Sequence, residues 1–214
     1  MVLWTEVMRG ESSMRFTNTL LRVAFAMLFW LVARPAFAHI GSGLGGGFFN
    51  GFSHPLLGPD HLLAMVSVGI WGAELGAPAI WVLPITFPLI MAIGGAAGIV
   101  GMPLPGTEII IALSVIVLGG MVAMAARLNL VLALVIVGVF AFAHGHAHGS
   151  EMPASADALA FSVGFVIATG MLHALGIAIG LLIKWPVGFG AVRAMGGLAA
   201  LFGLYLIAEH VVNL

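Results

Sequence analysis

The feature that most constrains this chain is a series of six long apolar stretches, separated by short breaks rich in glycine, proline or charge. A helix needs about 20 apolar residues to cross the hydrocarbon core of a bilayer, and each stretch has roughly that length. Only 7% of the residues are charged, whereas a soluble domain carries about 25%. The sequence therefore predicts an all-α membrane protein, a bundle of six transmembrane helices. We place the spans at residues 55–74, 78–100, 107–126, 129–148, 157–183 and 191–212.

The first 38 residues have the pattern of a cleavable signal peptide. Three arginines precede an apolar run, 23–33, that is too short to span a bilayer, and Ala36-Phe37-Ala38 matches an A-x-A cleavage site. The alternative is an uncleaved first membrane helix. We expect a signal peptide at 1–38, a Gly-rich extracytoplasmic arm at 39–54 whose glycine-rich part is neither helix nor strand, and the six-helix domain at 55–214.

The basic residues predict the orientation. After the expected cleavage site the chain has only Arg127, Lys184 and Arg193, which fall in the third and fifth loops. A cleaved signal peptide leaves the mature N-terminus outside, so these loops are cytoplasmic, as the positive-inside rule requires. We expect a multi-pass protein of the bacterial inner membrane with both mature termini on the periplasmic side. Tryptophans at span ends, among them Trp71, are expected to anchor the interfaces.

Two counts narrow the function further. The chain has no cysteine, which leaves His, Asp, Glu and Met as possible metal ligands. Its formal net charge is -1, so no basic surface favours nucleic acid, and the lipid bilayer is the expected macromolecular surrounding.

The first polar motif lies at the head of the first span. His54, Asp60 and His61 are costly to place in an apolar run unless they have a partner or a function. Pro55 suits the first position of a helix, whereas Gly58-Pro59 breaks or kinks one. An opened backbone lets the three side chains converge on one ion, and imidazole with carboxylate suits a divalent first-row metal. The alternative is a helix-capping Asp60 beside an interfacial His54.

The second motif is the run His144-Gly-His146-Ala-His148-Gly-Ser-Glu151. On a helix His144, His148 and Glu151 share one face, whereas His146 points elsewhere. A short His-rich tract is a metal-binding composition, and its alternative is a polar loop that happens to be rich in histidine.

Four further positions are candidates of different strength. Glu108, in the first turn of the third span, is either a ligand or a simple helix-dipole cap. His173 lies in mid-span and is a transit ligand, a proton acceptor, or a ring hydrogen-bonded to Thr169 within the bundle. His39 would be the first residue of the mature chain, where its amine and ring can chelate a metal, or an ordinary solvated residue. Glu209-His210 is predicted to be an interfacial pair.

Taken together, the motifs resemble a known family. His54-Pro-x-x-Gly58-x-Asp60-His61-x-x-Ala-Met65 resembles the signature of the HupE/UreJ family of nickel/cobalt permeases, and the second motif, the signal peptide and the six spans are similar to it as well. The resemblance covers essentially the whole mature chain. It implies uptake of Ni2+ or Co2+ for enzymes such as hydrogenase or urease, with the metal bound transiently as cargo and no prosthetic group. Carried over by position, the family's functional residues fall on His54, Asp60, His61, Glu108 and Glu151.

Two other functional classes stay open. One is a membrane metalloenzyme, although the sequence has no H-E-x-x-H, nucleophile elbow or Gly-rich phosphate loop, and we expect no enzymatic activity. The other is a metal-delivery or sensing partner of another membrane complex, which would bind metal without net flux. The sequence indicates neither the oligomeric state nor whether Ni2+, Co2+, Cu or Zn is preferred.

Overall fold

The computed structural model describes residues 44–152 and 157–212, and within these ranges every regular element is helical. The predicted signal peptide and His39 lie outside the described residues. The helices are α1 Leu44–Leu57, α2 Pro59–Leu75, α3 Ala79–Ile99, α4 Thr107–Met124, α5 Leu130–Glu151, α6 Ala158–Gly180 and α7 Pro186–Val212, with a 3-10 turn at Leu181–Lys184.

Five of these helices, α3 to α7, are long and apolar enough to cross a membrane. The pair α1 and α2 passes the same test together, with a bend of 76° between the two helices. The described part of the chain therefore has five candidate spans, or six if the bent pair forms one. The predicted span boundaries agree with the helices to within a few residues, and the largest difference is the last span, which begins at Pro186 rather than at residue 191.

The outward surface of α3 is apolar, as expected for a helix that contacts lipid. Trp81, Ile85, Leu89 and Ile93 recur every four residues along one face, and each is more than half exposed. In water such a face would be polar, because exposed apolar patches of this size are rare on soluble proteins. Residues on the opposite face, including the fully buried Leu83 and Phe87, pack into the core.

The expectation of an irregular Gly-rich arm is wrong for residues 44–54. Residues 44–57 form α1, which packs closely against α6. Gly51 lies against the backbone of Phe161, where a side chain would overlap that carbonyl group, so the glycines here serve helix contact instead of flexibility. Pro55 lies near the end of α1, and Pro59 instead occupies the start of the next helix.

Close helix contact also fixes α5, the helix that carries the His-rich tract. α5 packs most extensively on α3, and a Cβ added at Gly145 would overlap the carbonyl of Met91 on that neighbour. A glycine at this position lets two membrane helices approach backbone to backbone. The tract is consequently held as regular helix through Glu151, three residues past the predicted end of the span at 148.

The two ends of the bundle differ in chemistry. At one end the indole of Trp71 donates a hydrogen bond of 2.9 Å to the Ala126 carbonyl, and Arg193 Nε donates one of 2.7 Å to the Ala123 carbonyl. Trp71 is fully buried, so its predicted role as an interface anchor is wrong. The histidines and carboxylates of both motifs lie near the other end. The sorting of ligands and basic residues to opposite ends thus agrees with the expected topology, and which end faces outward stays a prediction.

Candidate metal site

Four histidine rings meet where α2 begins. His61, in the first turn of α2, has its ring centroid 4.4 Å from that of His144 and 4.3 Å from that of His148, both on α5. His54, in the last turn of α1, lies 4.6 Å from His148 and 6.1 Å from His61 by the same measure. The structure therefore brings the two sequence motifs into a single cluster.

The break at Gly58 is what brings His54 into this cluster. α1 ends at Leu57 and α2 starts at Pro59, so the chain turns through 76° between His54 and His61. On one continuous helix two residues seven positions apart would be about 10 Å apart along the axis. The bend replaces this separation by a ring-to-ring distance of 6.1 Å. The predicted opening of the backbone at Gly58-Pro59 is observed.

The hydrogen bonds of the cluster indicate which nitrogen of each ring carries the proton when no ion is bound. Asp60 Oδ1 lies 3.2 Å from His61 Nδ1 and also accepts from the His61 backbone N–H at 2.9 Å. An ionised carboxylate only accepts, so neutral His61 carries its proton on Nδ1 and has its lone pair on Nε2. His148 Nε2 lies 2.5 Å from that atom and is its donor, which leaves the lone pair of His148 on Nδ1, an atom with no partner among the described residues.

The pair of facing nitrogens is arranged as a carboxylate–histidine–metal unit would require. Two nitrogens bound side by side on one ion, at metal–nitrogen distances of about 2.1 Å, lie about 3 Å apart. His61 Nε2 and His148 Nε2 are 2.5 Å apart, so an opening of about 0.5 Å brings them to this spacing. An ion bound there takes the place of the proton on His148 Nε2, and that ring then carries its proton on Nδ1. Asp60 would then hold the His61 ring from behind, the usual second partner of a metal-bound imidazole.

His144 occupies the deepest position in the cluster. Its Nε2 lies 2.8 Å from the Ser114 hydroxyl, which itself donates to the Ile111 carbonyl at 2.6 Å. Because that hydroxyl proton is already used, His144 Nε2 is the donor and its lone pair lies on Nδ1. This nitrogen is buried and has no partner in the described part of the chain. Ser114 has no role in the sequence-based site, because only the packing of α4 on α5 brings it near His144.

His146 points away from the cluster, as its helical spacing predicts. Its Nε2 lies 2.6 Å from the Met102 carbonyl, so the ring donates a hydrogen bond to the loop between α3 and α4. That loop leads directly into the first turn of α4, where Glu108 lies. His146 thus holds a neighbouring loop and contributes no ring nitrogen to the cluster.

Glu151 adds a carboxylate at the exposed rim. His54, His148 and Glu151 each offer one ligand atom, and these atoms lie within 4.8 Å of one another. Ligands of one ion with bonds of about 2.1 Å are at most about 4.2 Å apart, so a small closure satisfies the geometry. The burial of the three side chains grades from buried His148 through half-buried His54 to exposed Glu151, which gives the site an open side.

A cavity of about 280 Å³ opens beside Asp60. It is lined by residues of α2, α4 and α7: Asp60, Glu108, Ile111, Ala112, Leu206, Glu209 and His210. Glu108 lies in the first turn of α4, where the helix dipole favours a carboxylate, so its position fits the dipole alternative as well as a role as a ligand. Glu209 and His210 were predicted to be an interfacial pair. They line the same cavity as Asp60 because α7 returns to this end of the bundle, as the alternation of the predicted spans requires.

Aromatic side chains enclose the cluster on its apolar sides. The ring of Phe165, on α6, lies 4.5 Å from His148 and 6.2 Å from His54 between centroids. The ring of Phe87, on α3, lies 5.8 Å from His144 and 5.4 Å from His173. These apolar rings limit the access of water to the cluster, which strengthens the electrostatic interactions of the ligand atoms.

His173 is separate from the cluster and lies on α6 inside the bundle. It is 1% exposed, and neither ring nitrogen makes a hydrogen bond of ordinary geometry to a described residue. The hydroxyl of Thr169 is likewise unpartnered within the described ranges, so the expected hydrogen bond between these two side chains is not formed. The Pro84 carbonyl, on α3, lies within reach of the ring.

The fold and the cluster define a class of protein: a multi-pass helical membrane protein with a His- and carboxylate-lined site near one end of its bundle. The chain belongs to the HupE/UreJ family, whose model, described as HupE / UreJ protein, matches residues 26–206. It is also 42% identical over 177 residues to Protein HupE of Rhizobium leguminosarum bv. viciae, which covers 82% of this chain and 93% of that relative. No solved structure matches the chain significantly.

Proposed function

We propose that this protein is an inner-membrane permease that imports a divalent transition metal, Ni2+ in the first place and Co2+ as a second substrate. The metal is bound transiently as cargo and supplies metalloenzymes of the hydrogenase or urease type. Membership of the HupE/UreJ family supports this substrate class, and the high share of apolar helix supports a place in the membrane.

The observation that carries the proposal is the convergence of His54, His61 and His148 from three different helices. Ionisable groups inside a membrane protein are costly and mark substrate paths in most cases. Three imidazoles with the carboxylates of Asp60 and Glu151 form a nitrogen- and oxygen-donor set, which suits nickel, cobalt or zinc better than magnesium or calcium.

The ligand path begins at the cavity next to Asp60. Six waters of a hydrated ion occupy about 180 Å³ at ~30 Å³ each, so the 280 Å³ cavity is large enough for a hydrated divalent cation. Glu108 supplies negative charge there, and the ion then exchanges water for the imidazoles of the cluster. Binding has to be strong enough to remove water and weak enough to release the ion, as in any conducting site.

The orientation of the path is part of the proposal. The end with the cluster faces the periplasm, and the loops with Arg127 and Lys184 face the cytoplasm, which follows the positive-inside rule. His173, further along the bundle, is a station for the ion after it leaves the cluster. His39 is proposed as an accessory ligand at the mature N-terminus.

A direct flux measurement tests the function. The purified protein is placed in liposomes, and Ni2+ entry is followed with a trapped metal-sensitive dye, with Mg2+ and Ca2+ as ions of the same charge. We expect entry of Ni2+ and Co2+ and no entry of Mg2+ or Ca2+. Metal binding to the protein without any flux would contradict the permease and favour the delivery or sensing alternative. Turnover of a chemical substrate that stops when the metal is removed would favour the metalloenzyme.

A further inference from the structure

We propose that His173 and the Pro84 carbonyl form a second metal-binding site inside the membrane, with the Thr169 hydroxyl as an additional oxygen donor. This inference rests on the proposed function and names the chemistry of a site that lies beyond the outer cluster. Its ligand is a borderline divalent cation, which accepts imidazole nitrogen and neutral oxygen donors together.

The first observation is a buried polar ring with no partner. His173 is 1% exposed and both of its ring nitrogens lack a hydrogen bond of ordinary geometry in the part of the chain that the structure describes. Buried polar groups are almost always satisfied, and an unsatisfied one calls for a bound water, an ion or a functional role. Thr169, fully buried one turn earlier on the same helix face, has an unpartnered hydroxyl as well.

The second observation is independent and comes from α3. This helix contains Pro84 and Pro88, four residues apart. Proline has no backbone N–H, so Pro88 removes the donor that would normally bond to the Pro84 carbonyl. The turn of α3 between these prolines packs on His173, since the Phe87 ring lies 5.4 Å from the His173 ring between centroids, and the Pro84 carbonyl lies within reach of that ring. A carbonyl deprived of its helical donor and an unpartnered imidazole therefore face each other inside the bundle.

The pair is distinct from the outer cluster. Among the described residues, the side-chain hydrogen bonds of His61, His144 and His148 do not involve α3. The two regions meet at the Phe87 ring, which lies 5.8 Å from His144 and 5.4 Å from His173. The backbone of His173 is itself held against α2, because a Cβ at Gly69 would overlap the His173 carbonyl. The ring is thus presented by a rigid helix contact, as a binding site requires.

Helix breaks near binding sites are a recurrent feature of transporters, since they make backbone oxygens available to a cation within the membrane. The nitrogen of His173 and the carbonyl of Pro84 supply two donors of this kind without a formal charge. A neutral donor set binds a divalent ion weakly, which suits an intermediate station from which the ion must leave.

The test is the number of Ni2+ ions bound by purified protein in detergent, measured by equilibrium dialysis. We expect two ions for the wild type and one for His173→Ala. Pro88→Ala restores an amide donor for the Pro84 carbonyl and favours a regular helix, so it cannot act by preventing folding. We expect this variant to bind the second ion with about tenfold lower affinity, or ~1.4 kcal/mol. Pro84→Ala is the matched control, because residue 84 keeps a carbonyl that Pro88 cannot bond, and it should leave both affinities unchanged.

Each other result overturns the inner site. Two ions of unchanged affinity in His173→Ala would do so, and so would a single ion in both the wild type and His173→Ala, which would leave the outer cluster intact as the binding site. Equal weakening by Pro84→Ala and Pro88→Ala would show a general effect of helix shape instead of carbonyl ligation. Absence of any Ni2+ binding by the wild type would overturn the proposed function as well, so the two failures are distinguishable.

Discussion

The role of each histidine follows from the hydrogen-bond partner of one of its two ring nitrogens. His61 is held by Asp60, His144 by Ser114, and His148 by His61, and each of these contacts leaves the other nitrogen toward the cluster or the neighbouring ring. His146 contacts a backbone carbonyl outside the cluster. The same residue type, repeated within five positions of one helix, therefore serves two different purposes.

The contrast between His148 and His146 gives a prediction with a built-in control. His148→Ala removes a ring that contacts both His54 and His61, and we expect Ni2+ affinity to fall by at least about tenfold. His146→Ala, two residues earlier on the same helix, should leave the affinity nearly unchanged. Isothermal titration of the purified variants with Ni2+ measures both. Equal losses would show that the whole tract binds metal and that the assigned ring directions are wrong.

The carboxylate behind His61 supports a second prediction. Asp60→Asn keeps the size of the side chain but removes the charge that orients and polarises the His61 ring. Changes of such outer partners lower metal affinity by about 10–100-fold, and we expect a loss in that range. Asp157→Asn is the control, since Asp157 caps the start of α6 through a 3.0 Å hydrogen bond from Ala160 N and Asn caps as well as Asp. Equal Ni2+ affinity of the wild type and Asp60→Asn would contradict the role of Asp60 in orienting the His61 ring.

At this scale the sequence predicted which residues come together better than it predicted their partners. The two motifs identify His54, Asp60, His61, His148 and Glu151 because polar groups in apolar runs are conspicuous. Ser114 was missed, since it reaches His144 through tertiary packing and a serine has no local signature of its own.

At the scale of helices, the site depends on one break and one close contact. The bend at Gly58 turns α1 against α2, and Gly145 lets α5 approach α3. The break was predictable, because a glycine and a proline in sequence stop a helix by known local chemistry. The helical state of residues 44–57 was not, since glycine-rich sequence favours flexibility unless a neighbouring helix packs on it, and that neighbour, α6, lies about a hundred residues further along the chain.

The close contact at Gly145 gives a prediction about stability. Gly145→Ala places a methyl group against the Met91 carbonyl and forces α5 away from α3, which we expect to cost about 1–3 kcal/mol. A thermal unfolding scan in detergent measures the loss. Gly138→Ala on the same helix has open space around it and should be neutral or slightly stabilising, since alanine favours helix over glycine. A stable Gly145→Ala protein would mean that the two helices are not in close contact.

At the scale of the whole molecule, the bundle separates its charges into two ends. Asp60, Glu108, Glu151 and most of the described histidines gather at one end, and Arg193, which bonds to the Ala123 carbonyl, marks the other. Alternation of the spans makes this sorting predictable from the sequence once the spans are located. The buried position of Trp71 was not predictable in this way, because a tryptophan at a span end looks the same whether it faces lipid or a neighbouring helix.

A site made largely of imidazoles predicts that uptake depends on pH. Only the neutral ring has a lone pair for a metal, and the reference pKa of histidine is about 6.5. Protons therefore compete with the ion as pH falls, and we expect transport to be highest above that value and to decline below it. The measurement is the initial rate of Ni2+ entry into liposomes of fixed internal pH, with free Ni2+ held constant outside. A rate that stays constant down to pH 5 would argue against histidine ligation.

The most direct test of the central claim is uptake of radioactive nickel by cells that lack other nickel importers and produce this protein. The wild type is compared with His54→Ala, Asp60→Ala and His61→Ala, and with His146→Ala as the control from outside the cluster, at matched amounts in the membrane. The account predicts strong uptake by the wild type and His146→Ala, and uptake near background for the three cluster variants. Equal uptake by all five proteins would contradict it.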